Sequence, residues 1–199
     1  MIFRVCLAVF ALLPFSTAFA KPQSQSAWMQ VGSITSQPIG HYELCKRLPD
    51  ECSVRSSSMP PPRLTQKAWE VLRQVNSEVN AAISPKTDKE LYGVEEVWSY
   101  ADEEGDCEDY SLLKRRALIG KGFPVRDLLL TVLRKPDGEG HAVLTVRTDQ
   151  GDFVLDNLES EIKIWTATSY RYIKRQASFH SGRWVTIEND ADTPVGSVE

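Results

Sequence analysis

The spacing of apolar residues changes character near residue 124, and that change limits the chain to a narrow class of folds. Upstream, Leu64, Ala68, Leu72, Val75, Val79 and Ala82 or Ile83 recur at steps of three and four. That marks one face of a helix, which Trp69 can widen and Ser84-Pro85 stops. A second helix is expected to begin close to Cys107, with Tyr110, Leu113 and Ala117 on its apolar face and Leu112 and Leu118 beside them. Lys114, Arg115 and Arg116 load its C-terminal half with positive charge, which suits the helix dipole. Gly120 and Gly122 are stop signals. Downstream the pattern becomes that of strands. Residues 125–133 read as a buried strand, 135–140 as a turn, and 141–147 as a strand with Ala142, Leu144 and Val146 on one face. A turn over 149–152 leads to a strand at 153–155. Two more strands are expected at 171–177 and 184–188, joined through Ser181-Gly182. Helices first and an antiparallel meander afterwards make an α+β domain.

The N-terminus sets the compartment. Arg4 is the only charge before Lys21, an apolar run extends from Val5 to Phe15, and Ala18 and Ala20 form a small-residue exit. This is the layout of a signal peptide over residues 1–20. The run is shorter than the roughly 20 residues of a membrane span, and Pro14 interrupts it. A periplasmic or secreted protein is therefore expected. Residues 21–63, rich in Gln, Ser and Pro, read as an irregular arm, residues 64–188 as the folded domain, and residues 189–199 as a flexible tail. A formal net charge of −4 argues against nucleic acid as a partner, and a monomer is the default.

Cysteine usage then points to chemistry. Cys6 leaves with the signal peptide. Cys45 and Cys52 flank a short polar loop and are the natural disulfide pair. Cys107 is left over, and an odd thiol in an exported protein suggests reactivity, with a buried structural cysteine as the alternative. A thiol attacks as thiolate, which a helix N-terminus and a neighbouring imidazole both favour. Cys107 stands at an expected helix start, after Gly105, which lets the chain turn in. Asp102, Glu103, Glu104, Asp106, Glu108 and Asp109 crowd the same loop and would raise the thiol pKa unless something neutralises them. Three histidines are candidate bases. His141 opens a strand and Asp156 closes the next one. If those strands pair through their turn, with Thr148 about opposite Phe153, the two fall near each other. His41 lies in the irregular arm and His180 in a polar turn, so neither has an obvious orienting acid. On residues alone the Cys-His-Asp order is one reading among several.

Three blocks sharpen it. Gly105-Asp106-Cys107-Glu108-Asp109-Tyr110, Gly140-His141-Ala142-Val143-Leu144 and Gly151-Asp152-Phe153-Val154-Leu155-Asp156-Asn157-Leu158 resemble the signature blocks of the bacterial transglutaminase-like cysteine proteinases. That family includes the LapG-type periplasmic proteases. Pro38-Ile39-Gly40 with Cys45 and Cys52, and Trp165 followed by Tyr172, are similar to the same group. The resemblance implies a papain-like/transglutaminase-like core. In it Cys107 would be the nucleophile, His141 the general base and Asp156 the orienting acid. LapG-type members depend on calcium, and Asp106 and Glu108 match the flanking ligand positions, with Asp102 and Asp109 as further candidates. Oxygen donors in an acidic loop suit Ca²⁺. Such proteases clip large cell-surface adhesins under the control of an inner-membrane receptor. The expectation is thus a periplasmic cysteine endopeptidase acting on a protein substrate, with a surface adhesin as one candidate. A transglutaminase-like acyltransferase shares its thioester intermediate and stays open, as does a non-catalytic binding module of the same fold.

Overall fold

Most of the sheet follows the helices, as the change of period predicts, but one of its strands, over residues 30–35, precedes them. The computed structural model describes residues 26–188. In chain order it contains β1 (Gln30–Thr35), α1 (Ile39–Arg47), α2 (Pro49–Cys52), α3 (Gln66–Ala82), β2 (Ser84–Pro85), α4 (Asp88–Tyr92), β3 (Glu104–Gly105), α5 (Cys107–Gly120), β4 (Leu128–Arg134), β5 (Gly140–Thr148), β6 (Gly151–Leu155), β7 (Lys163–Ile164), β8 (Arg171–Ala177) and β9 (His180–Glu188). The signal peptide expected over residues 1–20 and the tail expected over 189–199 lie outside the described residues. Among the described residues no helix is long and apolar enough to cross a membrane.

Seven strands form one sheet in the order β1-β9-β8-β4-β5-β6-β7, with every pairing antiparallel. Helices α3 and α5 cover one face. There Leu72 and Val75 of α3 and Leu112 and Leu118 of α5 pack with Leu128, Leu130, Leu144, Val146 and Trp184 of the sheet. Cutting one such leucine to alanine costs about 2–5 kcal/mol, so this layer is the main tie between the helices and the sheet. The opposite face buries Leu133, Val143, Val154, Trp165, Tyr172 and Ile187. A strand buried on both faces, as β5 is, belongs in the middle of a covered sheet.

Helix α3 begins where Thr65 caps it, its hydroxyl accepting from Ala68 N at 3.1 Å, a contact worth about 1 kcal/mol. It ends at Ala82 because Ile83 turns extended and Pro85 cannot continue a helix. Three expectations shift. Residues 125–127 form a 3-10 turn rather than the start of β4. The buried carboxylate of Asp127 is drawn there to Arg147 (3.3 Å) and Arg126 (3.4 Å). Strand β9 begins at His180, so Ser181-Gly182 lies inside it. Gly182 is required for space, since a Cβ would sit 2.5 Å from the Cys52 carbonyl oxygen. The arm is not irregular throughout. It holds β1, which pairs with β9 (Gln30↔Glu188, Thr35↔Trp184), and α1 and α2, tied by the Cys45–Cys52 disulfide. Arg47 donates to the Trp98 carbonyl at 2.6 Å, and Arg115 of α5 bonds Glu51 at 3.1 Å, which holds the arm on the helical layer.

Candidate active site

Cys107 is the first residue of α5, so its sulfur stands at the positive end of a 14-residue helix. Two features put the helix start there. The parallel bridge β2–β3 pairs Ser84 with Glu104 and Pro85 with Gly105, which brings the chain leaving α3 beside the loop entering α5. Gly105 has no side chain because a Cβ would lie 2.8 Å from Asp109 Oδ2 and 2.9 Å from Ala101 Cβ. Close approach, more than turning, is its function.

The sheet supplies the other two residues. The β5–β6 register runs Thr148↔Gly151 to Leu144↔Leu155, a tighter turn than the sequence suggests. Continued one step, it sets Asp156 across from Val143, which makes His141 and Asp156 diagonal neighbours on one face. An imidazole spans that diagonal. His141 Nε2 bonds Asp156 Oδ1 at 2.8 Å, and both residues are buried. The Asp156 backbone is held in turn, its carbonyl accepting from Asn80 Nδ2 of α3 at 2.9 Å. The residue after His141 reaches the thiol: Ala142 N donates to Cys107 Sγ at 3.3 Å. Cys107, His141 and Asp156 are thereby brought together from α5, β5 and the end of β6. His41 is elsewhere. It is buried edge-on between Trp98 and Trp184, with ring centroids at 5.6 and 5.3 Å, and burial, helped by Arg115, lowers its pKa to about 4. His180 starts β9, where its Nδ1 accepts from Gly182 N. Among the described residues neither bonds Cys107 or Asp156.

The acidic loop holds two groups that share Asp106. Glu108 is buried and turns to the nucleophile position, the Cys107 thiol donating to its Oε2 at 3.1 Å. Burial first, and then the charge of Asp106, push Glu108 up to about 9. Burial and then Glu108 push the Cys107 thiol well above its ordinary range, with the Ala142 N–H working the other way. Asp106 belongs to two sets, because ligand atoms of Asp106, Cys107 and Glu108 lie within 4.8 Å of one another and Asp106 also meets Asp88 and Asp109. Oxygens of Asp88, Asp106 and Asp109 lie within 4.8 Å of one another. In each carboxylate one oxygen accepts from a backbone N–H: Asp88 from Val97, Asp106 from Asp88 (3.3 Å), Asp109 from Ser99 (2.7 Å). The other oxygen of each is buried without a partner. Asp88 is raised and Asp109 is pushed to about 7, chiefly by burial, with Asp106 adding repulsion. Among the described residues no cation pairs with them. Three oriented, uncompensated carboxylates fit a hard divalent cation. Asp102 is outside this set and exposed. The sequence reading missed Asp88, eighteen positions before Asp106, although Thr87-Asp88-Lys89-Glu90 carries a legible capping box that starts α4 there.

A further buried charge bears on the site. Lys114, two turns beyond Cys107 on α5, is 1% exposed. Burial lowers its pKa to about 7, opposed by the charge of Asp156. Folding therefore disfavours the ammonium. The penalty is fully present below pH 7 and fades as pH rises toward the unfolded value near 10.5. Lys114→Met is expected to stabilise the fold most at or below pH 7. The difference in Tm from wild type should shrink steadily toward pH 10, as followed by thermal melts across that range. A constant difference would contradict the assignment.

Cavity size does not pick out this site. A cavity of about 760 Å³ lies between α3 and residues 160–162 and holds none of these groups.

Residues 31–192 match the family model described as bacterial transglutaminase-like cysteine proteinase. Among solved structures, Legionella pneumophila LapG in a calcium-bound form is similar over 61% of this chain and 71% of that chain, with 26% identity and a TM-score of 0.52. A second structure of Legionella pneumophila LapG is 26% identical over 59% and 68%, with a TM-score of 0.50. An EGTA-treated form, at 23% identity and a TM-score of 0.50, shares the fold. No curated protein sequence matches the chain.

Proposed function

The chain belongs to the bacterial transglutaminase-like cysteine proteinases, and from that premise we propose that it is an exported endopeptidase working through Cys107, His141 and Asp156. One observation carries the reading: a buried His141–Asp156 pair at 2.8 Å whose next residue, Ala142, donates to the Cys107 sulfur. With Nε2 engaged by Asp156, Nδ1 of His141 is the nitrogen left to take the thiol proton. The thiolate then adds to the peptide carbonyl carbon, forming the C–S bond and an oxyanion. Backbone N–H groups in the first turn of α5 have no intrahelical partner and are the kind of donor that stabilises such an oxyanion. Collapse breaks the C–N bond as the imidazolium gives its proton to the leaving amine. Water, losing a proton to His141, next cleaves the thioester and restores the thiol.

Asp88, Asp106 and Asp109 would hold Ca²⁺, the ion named for the similar LapG structure. Bound there, calcium supplies the positive charge that the loop lacks, which lowers the cost of a thiolate beside Asp106. Glu108 matches the second ligand position in the family resemblance; it bonds the thiol and also lies within 4.8 Å of Asp106, which keeps it a candidate ligand. The substrate class proposed is a cell-surface protein of the adhesin type. Mass spectrometry of new N-termini on surface and secreted proteins tests the proposal. Cells carrying the wild-type protein should show cleavage products that cells carrying Cys107→Ala lack. The same products with Cys107→Ala would end the reading.

A further inference from the structure

Asp156 has two carboxylate oxygens, and one of them serves His141. Oδ1 accepts from His141 Nε2 at 2.8 Å and from Leu158 N at 3.0 Å. Oδ2 accepts from the Tyr170 hydroxyl at 2.7 Å. The Tyr170 ring also stands edge-on to the His141 ring, with centroids 5.8 Å apart and planes at 63°. One side chain thus touches both members of the pair.

Tyr170 is itself fixed. It follows the 3-10 turn Trp165–Ala167 and immediately precedes β8. That turn is anchored by Trp165 Nε1, which donates to Ser26 O at 3.0 Å, and by Thr168 Oγ1, which donates to Trp165 O at 2.8 Å. Tyr172, 1% exposed, packs edge-on against both Trp165 and Tyr170. A cleft of about 180 Å³ opens behind the pair, lined by Asp156, Glu159, Thr168, Ser169 and Tyr170 among others. Asp156 is nevertheless only 2% exposed.

We infer that Tyr170 is a positioning residue of this site: its hydroxyl sets the rotation of the Asp156 carboxylate and shares its charge, while its ring holds His141. The inference rests on the reading of Cys107, His141 and Asp156 as a catalytic set. A carboxylate bonded at one oxygen can turn about its last torsion, whereas one bonded at both cannot. Donation to Oδ2 also draws charge away from the side facing His141, so Tyr170 helps to set how strongly the imidazolium is stabilised.

The test needs no natural substrate. The rate of Cys107 alkylation by iodoacetamide, followed against pH with calcium chloride present, reports the thiolate–imidazolium pair. Tyr170→Phe keeps the ring and removes the hydroxyl. Asp156 then turns its full charge on His141, the imidazolium persists to higher pH, and the upper step of the profile should rise by about half a pH unit. Replacing Tyr170 with 3-fluorotyrosine makes a stronger donor with the fold unchanged, and the same step should fall. His141→Ala serves as the reference. If it alkylates like wild type, the Cys107–His141 reading itself fails. If it loses the neutral-pH step while both Tyr170 substitutions keep the wild-type profile, the Tyr170 inference alone fails. A lowered Tm for Tyr170→Phe with an unmoved step would likewise overturn it, because that is what a purely structural tyrosine does.

Discussion

His141→Ala is expected to lower kcat about ten-thousandfold, whereas Asp156→Asn should cost only about ten- to a hundredfold. The first change removes both the base for the Cys107 thiol and the acid for the leaving amine. The second is mild for a geometric reason. An asparagine amide has one acceptor and one donor end, and in many triads the donor end can turn toward the imidazole and force the wrong tautomer. At position 156 the surroundings choose the orientation. His141 Nε2 and Leu158 N both meet Oδ1, so that site demands an acceptor. The Tyr170 hydroxyl meets Oδ2 and can accept as well as donate, so it suits the amide N–H. Steady-state kinetics on the recovered substrate check both variants. Equal losses for the two would mean that Asp156 is needed for its charge and not for its orientation.

Asp88→Asn should move calcium binding and metal-free stability in opposite directions. Three carboxylates, each with one buried oxygen lacking a partner, repel one another when no cation is bound. Removing one charge relieves that repulsion, so the metal-free variant should melt higher than metal-free wild type. The same change removes a ligand, so calcium affinity should fall about ten- to a hundredfold. Calcium at a hundred times its Kd stabilises a folded state by about 2.7 kcal/mol, which is about 5–10 °C in Tm for a chain of this size. Thermal melts with calcium chloride or with EGTA, together with calorimetric titration, read out both effects. A wild-type Tm that ignores EGTA would remove calcium from the account.

The elements that could be read locally are those that carry their own period. Helix α3 has an apolar stripe, a cap at Thr65 and a stop at Pro85, and it spans 66–82 much as expected. The β5–β6 hairpin shows alternation and a turn, so His141 and Asp156 could be placed on neighbouring strands. Strand β1 carries no such signal. Its residues 30–35 alternate weakly, and the partner that makes them a strand is β9, more than 140 positions away. Asp88 escaped for the same reason, because a two-residue parallel bridge carries it to Asp106. Tyr170 has no local mark at all, and its meaning arises from a carboxylate fourteen positions upstream.

By itself the sequence determined the α+β class and the odd thiol at a helix start, because those follow from short-range periodicity and residue chemistry, while the choice of His141 and Asp156 as its partners rested on the resemblance of three sequence blocks. Tertiary structure alone decided the details of the acidic loop. It paired Glu108 with the thiol, grouped Asp88 with Asp106 and Asp109, and set Tyr170 on the free oxygen of Asp156. Carboxylates close together in sequence look alike. They differ only in which buried donors and which other charges the fold places beside each oxygen, and no short-range pattern encodes that.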